Sequence, residues 1–413
     1  RTLRSPSCLL KSTRTLFLLA NVMSTPHKQL TFSRAFMAAV GAVAAVAAGL
    51  LNGSWNLPTK PDAPRLVNAA MYWEWEQIWL VANVLIVVFN TFLVLGVVGA
   101  STLGDVYGGA SVGELGSICA FSLLWGFGGV GYGQAIKRVG MALGTSIVMA
   151  QIVCIGTLLP LVLALEAGDM STQEIVGSVA GVLLACAGFA MSSRAGLLRD
   201  AGSETSTAAS ADVEGVIKVK SDEVRVADVE CAAKGSSSRS TFVESMAWCV
   251  AGGVLSSMLQ FAFVFGGGLV DDAEEAGVSK EAAAMPVWML CFLFNSVGHV
   301  GYASRLLTTN DTWRKFRSTT YRDWAHGSVM CALIAVAFTA HIHLYGLGAA
   351  KMGSSGAVFA WPLVMSSTVF TAQVWSLVLG EWASASWEAR VANWASLGLL
   401  VAAVLVVALT AVL

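Results

Sequence analysis

Apolar residues in this chain are gathered into ten long blocks separated by short polar stretches, and that spacing leaves few folds open to it. The blocks run about 32–55, 77–99, 114–135, 139–165, 174–193, 242–267, 284–307, 325–347, 353–379 and 391–413. A helix needs roughly 20 apolar residues to cross the hydrocarbon of a bilayer, whereas a barrel strand needs about ten. In hydrocarbon every backbone N–H and C=O must be bonded within its own segment, so blocks of this length are helices. Only 12% of the 413 residues are charged and 56% are hydrophobic, about half the charge usual in a soluble domain. The expected fold class is an all-α polytopic membrane protein of ten transmembrane helices.

One stretch breaks the pattern. Residues 197–240 (LLRDAGSETSTAASADVEGVIKVKSDEVRVADVECAAKGSSSRS) are polar and rich in Ser, Ala, Asp and Glu, a composition with too little apolar surface to offset the entropy of ordering. They read as a flexible linker between a first five-helix unit, 32–196, and a second, 241–413. Residues 1–31 form an N-terminal segment outside the fold. Within it, 1–22 carry Arg, Lys, Ser and Leu and no acid. That composition suits a targeting segment, and it equally suits an upstream extension of a chain starting at Met23.

The two units share short motifs in the same order. VVFNT (87–91) pairs with FLFNS (292–296), and YGQAIKRVG (132–140) pairs with YGLGAAKMG (345–353). Each Tyr-Gly segment is followed by neighbouring hydroxyls, Thr145-Ser146 and Ser354-Ser355. The expectation is a five-plus-five repeat, inverted because five crossings bring the second copy in from the opposite side. From Met23 onward, Lys28, Arg34, Lys280 and Lys351 fall on one side and every other Lys and Arg on the other. The basic side should be cytoplasmic, with the linker there and both termini extracytoplasmic. The sequon Asn310-Asp-Thr312 then lies in the cytosol, and glycan on Asn310 would contradict the orientation.

Several function classes lack support. A net charge of -1 gives no electrostatic case for a nucleic-acid partner. The eight cysteines are scattered with no CxxC pair, so neither a disulfide framework nor a metal is expected. No nucleotide loop, HExxH or nucleophile elbow occurs, so no cofactor and no enzyme activity is expected. Gly41, Ala45, Gly49 and Gly53 make a smooth stripe for close helix packing. WGFGGVGYGQ (125–134) holds five glycines in ten residues, more than packing requires, and is expected to bend or to line a cavity with backbone.

WEWEQIW (73–79), WGFGGVGYGQAIKRVGMALGTS (125–146) and SRAGLL (193–198) together resemble the L-rhamnose–proton symporter family of the drug/metabolite transporter superfamily. The matching positions include Pro58, Lys60, Trp73, Trp75, Glu76, Trp79, Trp125, Gly126, Gly128, Tyr132, Gly133, Gly140, Met141, Gly144, Gly156-Thr157-Leu158 and Arg194-Ala195-Gly196. The second half matches more loosely, at Asn295, Tyr345, Gly348, Trp361 and Glu381-Trp382. Residues 36–196 carry the resemblance well and 241–410 weakly. The resemblance implies ten helices in two related halves and transport of a sugar with a proton. The bacterial symporters typically carry asparagines where Gly129 and Gly131 stand here, so the resemblance implies sugar transport more firmly than rhamnose itself.

Helix two carries the most pointed candidates. Glu76, Asn83 and Asn90 are spaced by seven, close to two turns, so they share a face. A polar stripe on an apolar helix faces the protein interior or a water-filled path. Glu76 is a candidate proton carrier, the competing reading being an acid stabilised by the positive helix end. Glu74 points away and stays in headgroup water. Trp73 and Trp75 read as interfacial tryptophans. His299, one turn past Asn295, is the second proton-coupling candidate, although a satisfied core histidine reads as well. Trp79, Trp125, Tyr132, Tyr345 and Trp361 are candidates for an aromatic wall against the C–H face of a sugar. Gln151, Gln260, Asn295 and Gln373 are candidates to pair its hydroxyls, each alone being as consistent with a helix–helix hydrogen bond. His341 and His343 lie near a helix end and two residues apart, a poor geometry for a metal. Glu381 reads as a structural or interfacial acid.

The partners implied are a small sugar, a proton and the bilayer. The leading expectation is a secondary active sugar–proton symporter. The rivals are a facilitator or exchanger of another metabolite or nucleotide sugar, and a membrane sugar sensor or scaffold that does not transport. Oligomeric state and the membrane of residence have no signal in the sequence.

Overall fold

A computed structural model describes residues 26–55, 57, 73–139, 141–168, 170–215, 239–318 and 320–412. Pro58, Lys60, Gly140 and linker residues 216–238 lie outside the described residues, as does the start of the N-terminal segment. Among the described residues all regular structure is helical. Among the described residues nine helices are long and apolar enough to cross a membrane, and the protein is an integral, multi-pass membrane protein.

The first half holds α1 (Pro26–Ser54), α2 (Trp75–Val98), the short α3 (Ala100–Gly109), α4 (Val112–Val139), α5 (Met141–Ala167) and α6 (Thr172–Gly215). The second holds α7 (Arg239–Ser256), α8 (Met258–Phe265), α9 (Gly267–Glu275), α10 (Met285–Thr309), α11 (Lys315–Ser318), α12 (Tyr321–Met352), α13 (Gly356–Val378) and α14 (Trp387–Val412). The helices α7, α8 and α9 are one apolar span, 243–275, interrupted twice. The remaining apolar block of the sequence, 284–307, is α10. Its 25 residues suffice to cross, but Pro286, Asn295 and His299 dilute its apolarity, and it is not among the nine.

Local signals set several ends. Gly99, at φ 87°, closes α2, a backbone that side-chain-bearing residues rarely adopt. Thr320 caps α12 by accepting the Asp323 N–H at 3.2 Å. Pro286 opens α10 in the first turn, where no N–H is required. Two of the bounds read from the sequence fall within helices. Residues 197–215, expected as linker, continue α6 as helix. The N-terminal segment 1–31 overlaps α1, which begins at Pro26.

The glycine-rich run of 125–134 does not break α4, which runs from Val112 to Val139. Several of its glycines are places where neighbouring helices touch backbone. A Cβ at Gly126 would strike the Asn295 carbonyl oxygen, one at Gly128 would strike the backbone of Ser256, and one at Gly131 would lie 2.9 Å from Gly252 Cα. The interruption falls on the facing helix, between α7 and α8. There Ser257 Oγ donates to the Gly253 carbonyl at 2.8 Å and competes with the helical ladder. Packing also explains the α1 stripe: Cβ atoms at Gly41 and Gly53 would lie 2.7 Å from the Gly348 carbonyl oxygen and 2.5 Å from the Thr368 carbonyl oxygen.

The outcome is a bundle in which α1 lies on α12 and α13, α2 on α10 and α12, α4 on α7 and α10, and α6 on α14. The most enclosed of the nine spans is α13. It stays helical through Pro362, as membrane helices can when neighbours satisfy the freed carbonyl.

Candidate functional site

The seven-residue stripe of α2 faces inward along its whole length. Glu76, Asn83 and Asn90 are 7%, 4% and 1% exposed. Their partners differ. Glu76 Oε1 accepts from Asn310 Nδ2 at 3.2 Å and from Thr312 Oγ1 at 2.9 Å. Beside it Gln77 Nε2 donates to the Thr312 carbonyl at 2.8 Å. The start of α2 is therefore tied to the turn that follows α10. Asn83 donates to the Trp79 carbonyl of its own helix at 2.8 Å. Asn90 reaches across the bundle: its Nδ2 donates to the Trp288 carbonyl on α10 at 3.4 Å, and its Oδ1 meets His343 Nε2 on α12 at 2.8 Å. Glu74, turned outward, is ion-paired with Lys315.

Trp73, expected at the membrane interface, packs inside the protein. It is buried against α12, its ring over Gly327 and edge-on to Phe316 and Trp324. Trp75 is half exposed and stacks on Trp79, with ring centroids 5.1 Å apart.

Trp79 Nε1 donates to His299 Nδ1 at 3.2 Å. Because Nδ1 accepts, the proton of the neutral ring sits on Nε2. The imidazole lies over Gly129, whose missing Cβ leaves room for it; a Cβ there would collide with His299 Cε1. Around this pair runs a chain of rings. Trp55 lies 5.7 Å from Trp79 and 5.5 Å from Phe338. Phe338 in turn faces Trp125 at 6.3 Å, almost parallel, and meets Phe292 and His341 edge-on.

A second cluster occupies the core between α8, α10 and α12. Tyr345 Oη donates to Gln260 Oε1 at 2.5 Å. Phe263 stacks on Trp288 at 4.7 Å, and Trp361 meets Tyr345 edge-on at 5.4 Å. Gln260 Nε2, Trp288 Nε1, Asn295 Oδ1, Thr339 Oγ1 and His341 Nδ1 are buried with no hydrogen-bond partner among the described residues. A buried polar atom left without a partner costs about 1–3 kcal/mol, so these five leave unmet polarity on three neighbouring helices.

Other candidates brace the helices. Gln151 Nε2 donates to the Ile147 and Cys249 carbonyls at 3.0 and 3.2 Å, joining α5 to α7. Trp361 Nε1 donates to the Ile152 carbonyl at 3.0 Å. Tyr132 Oη pairs with Thr145 Oγ1 at 3.2 Å. Gln373 donates to Ser396 Oγ at 2.9 Å, and Glu381 is ion-paired with Arg199 at 3.2 Å. His341 and His343 sit well inside α12, which runs on to Met352. Among the described residues, no group of three His, Cys, Asp or Glu could hold a metal ion. At the far end of α12, hydrogen bonding from Lys351 holds the Glu281 carboxyl below the ordinary carboxylate range.

Trp55, Phe338, Trp288 and Phe263 were not singled out from the sequence, where they look like ordinary apolar residues of membrane helices. His343 was weighed only as a metal ligand; its partner Asn90 lies in the other half of the chain.

The class of protein is thus a multi-pass helical membrane protein whose polar and aromatic side chains converge between helices from both halves. Residues 64–218 match the family model described as L-rhamnose-proton symport protein, a family of transporters. An L-rhamnose-proton symporter of Mannheimia succiniciproducens is 23% identical to this chain over 319 residues, 75% of the chain and 82% of the relative. A Klebsiella pneumoniae L-rhamnose-proton symporter is 24% identical over 321 residues, 76% of the chain and 83% of the relative. An Escherichia coli L-rhamnose-proton symporter is 22% identical over 316 residues, 76% and 83% respectively. The resemblance seen in the motifs of the first half therefore extends over most of the chain.

Proposed function

We propose that the protein is a secondary active transporter, not an enzyme, that moves an L-rhamnose-like sugar together with a proton by alternating access. The observation that carries this reading is the aromatic-walled set of unpaired polar atoms on α8, α10 and α12. A sugar offers hydroxyls to Gln260, Asn295, Thr339 and His341, and a C–H face to rings such as Trp79, Trp125 and Tyr345. Asn83, Asn90, Tyr132, Gln151 and Trp361 hold that lining in register through bonds to backbone and neighbouring side chains. The names of the matched relatives agree with the substrate class.

We assign proton coupling to His299 and Glu76 in different ways. His299 presents Nε2 beside Gly129 and can exchange a proton at that atom. Glu76 is the acceptor that fastens the 310–312 turn to α2. Protonation of its carboxylate removes the charge from two hydrogen bonds and weakens the tie, because bonds to an ionised acceptor are about twice as strong as neutral ones.

The architecture proposed is ten spans in two inverted halves, 32–196 and 241–413, joined by 197–240. The packing supports it: α1 on α12 answers α4 on α7, and α2 on α12 answers α4 on α10, while α2 with α10 and α6 with α14 pair with their own counterparts. The basic loops and linker are proposed to face the cytosol and both termini the other side. Asn310 Nδ2 is bonded to Glu76, so a glycan there would contradict both the orientation and this contact. Glycosidase treatment of the expressed protein reads that out.

The deciding experiment is uptake of radiolabelled L-rhamnose and other sugars into proteoliposomes under an imposed proton gradient. Accumulation above equilibrium is expected. Gradient-independent equilibration would indicate a facilitator, and saturable binding without uptake a sensor. Glu76→Gln and His299→Gln are each expected to abolish accumulation while leaving binding within about tenfold; a variant that still concentrates sugar removes that residue from the coupling scheme.

A further inference from the structure

At the turn joining α13 to α14, far along the chain from the lining described above, a cleft of about 410 Å³ opens between Leu377, Trp382, Ala383, Arg390, Asn393 and Trp394. Its walls are fixed. Trp382 Nε1 donates to Ser376 Oγ, and the Arg199 guanidinium lies 5.3 Å from the Trp382 ring centroid, itself ion-paired with Glu381. Arg390 gives one N–H to the Ala383 carbonyl at 2.8 Å, which steadies the side chain and leaves further donors of its guanidinium fork for a ligand.

Asn393 points to a ligand independently of the cleft. It is 1% exposed, it lines the cleft, and neither its Nδ2 nor its Oδ1 has a partner among the described residues. A carboxamide buried with both ends unmet is destabilising unless something supplies a donor and an acceptor. Position narrows the candidates. Arg390, Asn393 and Trp394 stand in the first two turns of a membrane-spanning helix. Trp387 and Trp394 are 77% and 63% exposed, the placement of tryptophans at the headgroup level.

We propose that this cleft binds the phosphate of an anionic phospholipid headgroup. Arg390 takes the phosphate oxygens through its guanidinium fork. The Asn393 amide, sealed from solvent in this structure, rotates to give its Nδ2 to the same phosphate and its Oδ1 to a headgroup hydroxyl. Trp382, Trp394 and Leu377 cover the glycerol and upper acyl carbons.

The test uses the purified full-length chain in detergent, titrated with phosphatidylglycerol or with phosphatidylcholine of the same acyl chains. Lipid adducts are counted by native mass spectrometry, and thermal stability is read alongside. The wild type is expected to hold phosphatidylglycerol about tenfold more tightly than phosphatidylcholine, as one charge-assisted contact would give, and to melt at higher temperature with it. Arg390→Gln and Asn393→Leu should each bring the two lipids to parity. Because Asn393→Leu removes unmet polarity at similar volume, it should fold at least as stably as wild type, so loss of lipid preference cannot be laid to misfolding. Millimolar glycerol phosphate separates the sources: failure to displace the adduct assigns the site to the lipid, and displacement assigns it to a soluble phosphate ester of the same chemistry. No headgroup preference in the wild type, or an undiminished preference in both variants, overturns the proposal. Sugar uptake is not the readout, so the outcome is independent of the transport reading.

Discussion

The two ends of the α2 stripe make opposite use of the same kind of residue. Near the Trp79 end, polar groups have found each other: Glu76 with Asn310 and Thr312, and Trp79 with His299. Shape holds them there, since the His299 imidazole fits only because position 129 has no side chain. Around Asn90 the stripe is just as buried, but it abuts a cluster in which Gln260, Trp288 and His341 keep unpaired atoms. The first region is mostly paired and steric, with only Trp73 Nε1 and Gln77 Oε1 left unpartnered beside Glu76 among the described residues, whereas the second keeps more of its polar atoms unpaired. That contrast separates a group placed for coupling from groups placed to receive a ligand.

Filling position 129 attacks the steric end and has the largest expected effect. Gly129→Asn drives a side chain into the His299 ring. Overpacking of a tight interior costs about 1–3 kcal/mol, and uptake is expected to fall at least tenfold. Gly129→Asn with His299→Ala makes room again. The double variant should recover wild-type thermal stability, measured by fluorescence-detected gel filtration, yet fail to concentrate sugar. If the single variant transports normally, the steric account of this region is wrong.

The polar end is tested by Tyr345→Phe. It strips Gln260 Oε1 of its donor and leaves that side chain with nothing paired, at a cost of about 1–3 kcal/mol. Adding Gln260→Met replaces the orphaned amide with an apolar chain of similar size. Stability should return while the apparent KM for sugar rises about tenfold or more. Recovery of both stability and affinity would make Tyr345 and Gln260 a packing pair only.

A smaller effect is expected where the two regions meet. Asn90→Leu severs the bridge from α2 to α10 and α12. Hydrogen bonds between membrane helices average about 0.6 kcal/mol, so a modest fall in melting temperature is expected, with maximal uptake reduced more than affinity. A change in affinity alone would place Asn90 in the lining instead.

How much of this was legible in the sequence follows from where each signal resides. Block length and apolarity are local, and nine spans emerged from them; α10 was recognisable as a helix although its polar residues dilute it. The seven-residue step of Glu76, Asn83 and Asn90 is also local, so their common burial could be read, but the three sets of partners could not. The glycines of 125–134 show the limit most clearly. Four of the five are explained by an atom on another helix, at Asn295, Ser256, His299 or Gly252, while Gly133 faces open space, and nothing in the local run distinguishes a surface for packing from a hinge. The burial of Trp73 was hidden for the same reason: its cover comes from α12. Gln151 and Gln260 were indistinguishable in sequence, yet one bonds two carbonyls and the other keeps a free amide nitrogen.

The smallest expected effect lies outside the membrane and sharpens the contrast from the other side. Glu281 is paired with Lys351 at the end of α12, and that hydrogen bond holds its carboxyl below the ordinary range. A depressed carboxyl contributes stability that is present above its unfolded value, near 4.5, and is lost as pH falls through the lower folded value. Water screens an exposed pair of this kind until it contributes little. Glu281→Gln should therefore leave the melting temperature at pH 7 unchanged within error. A clear loss of stability at pH 7 would mean that this pair is shielded from water, and the distinction drawn here between buried and solvated polarity would have to move outward to include the end of α12.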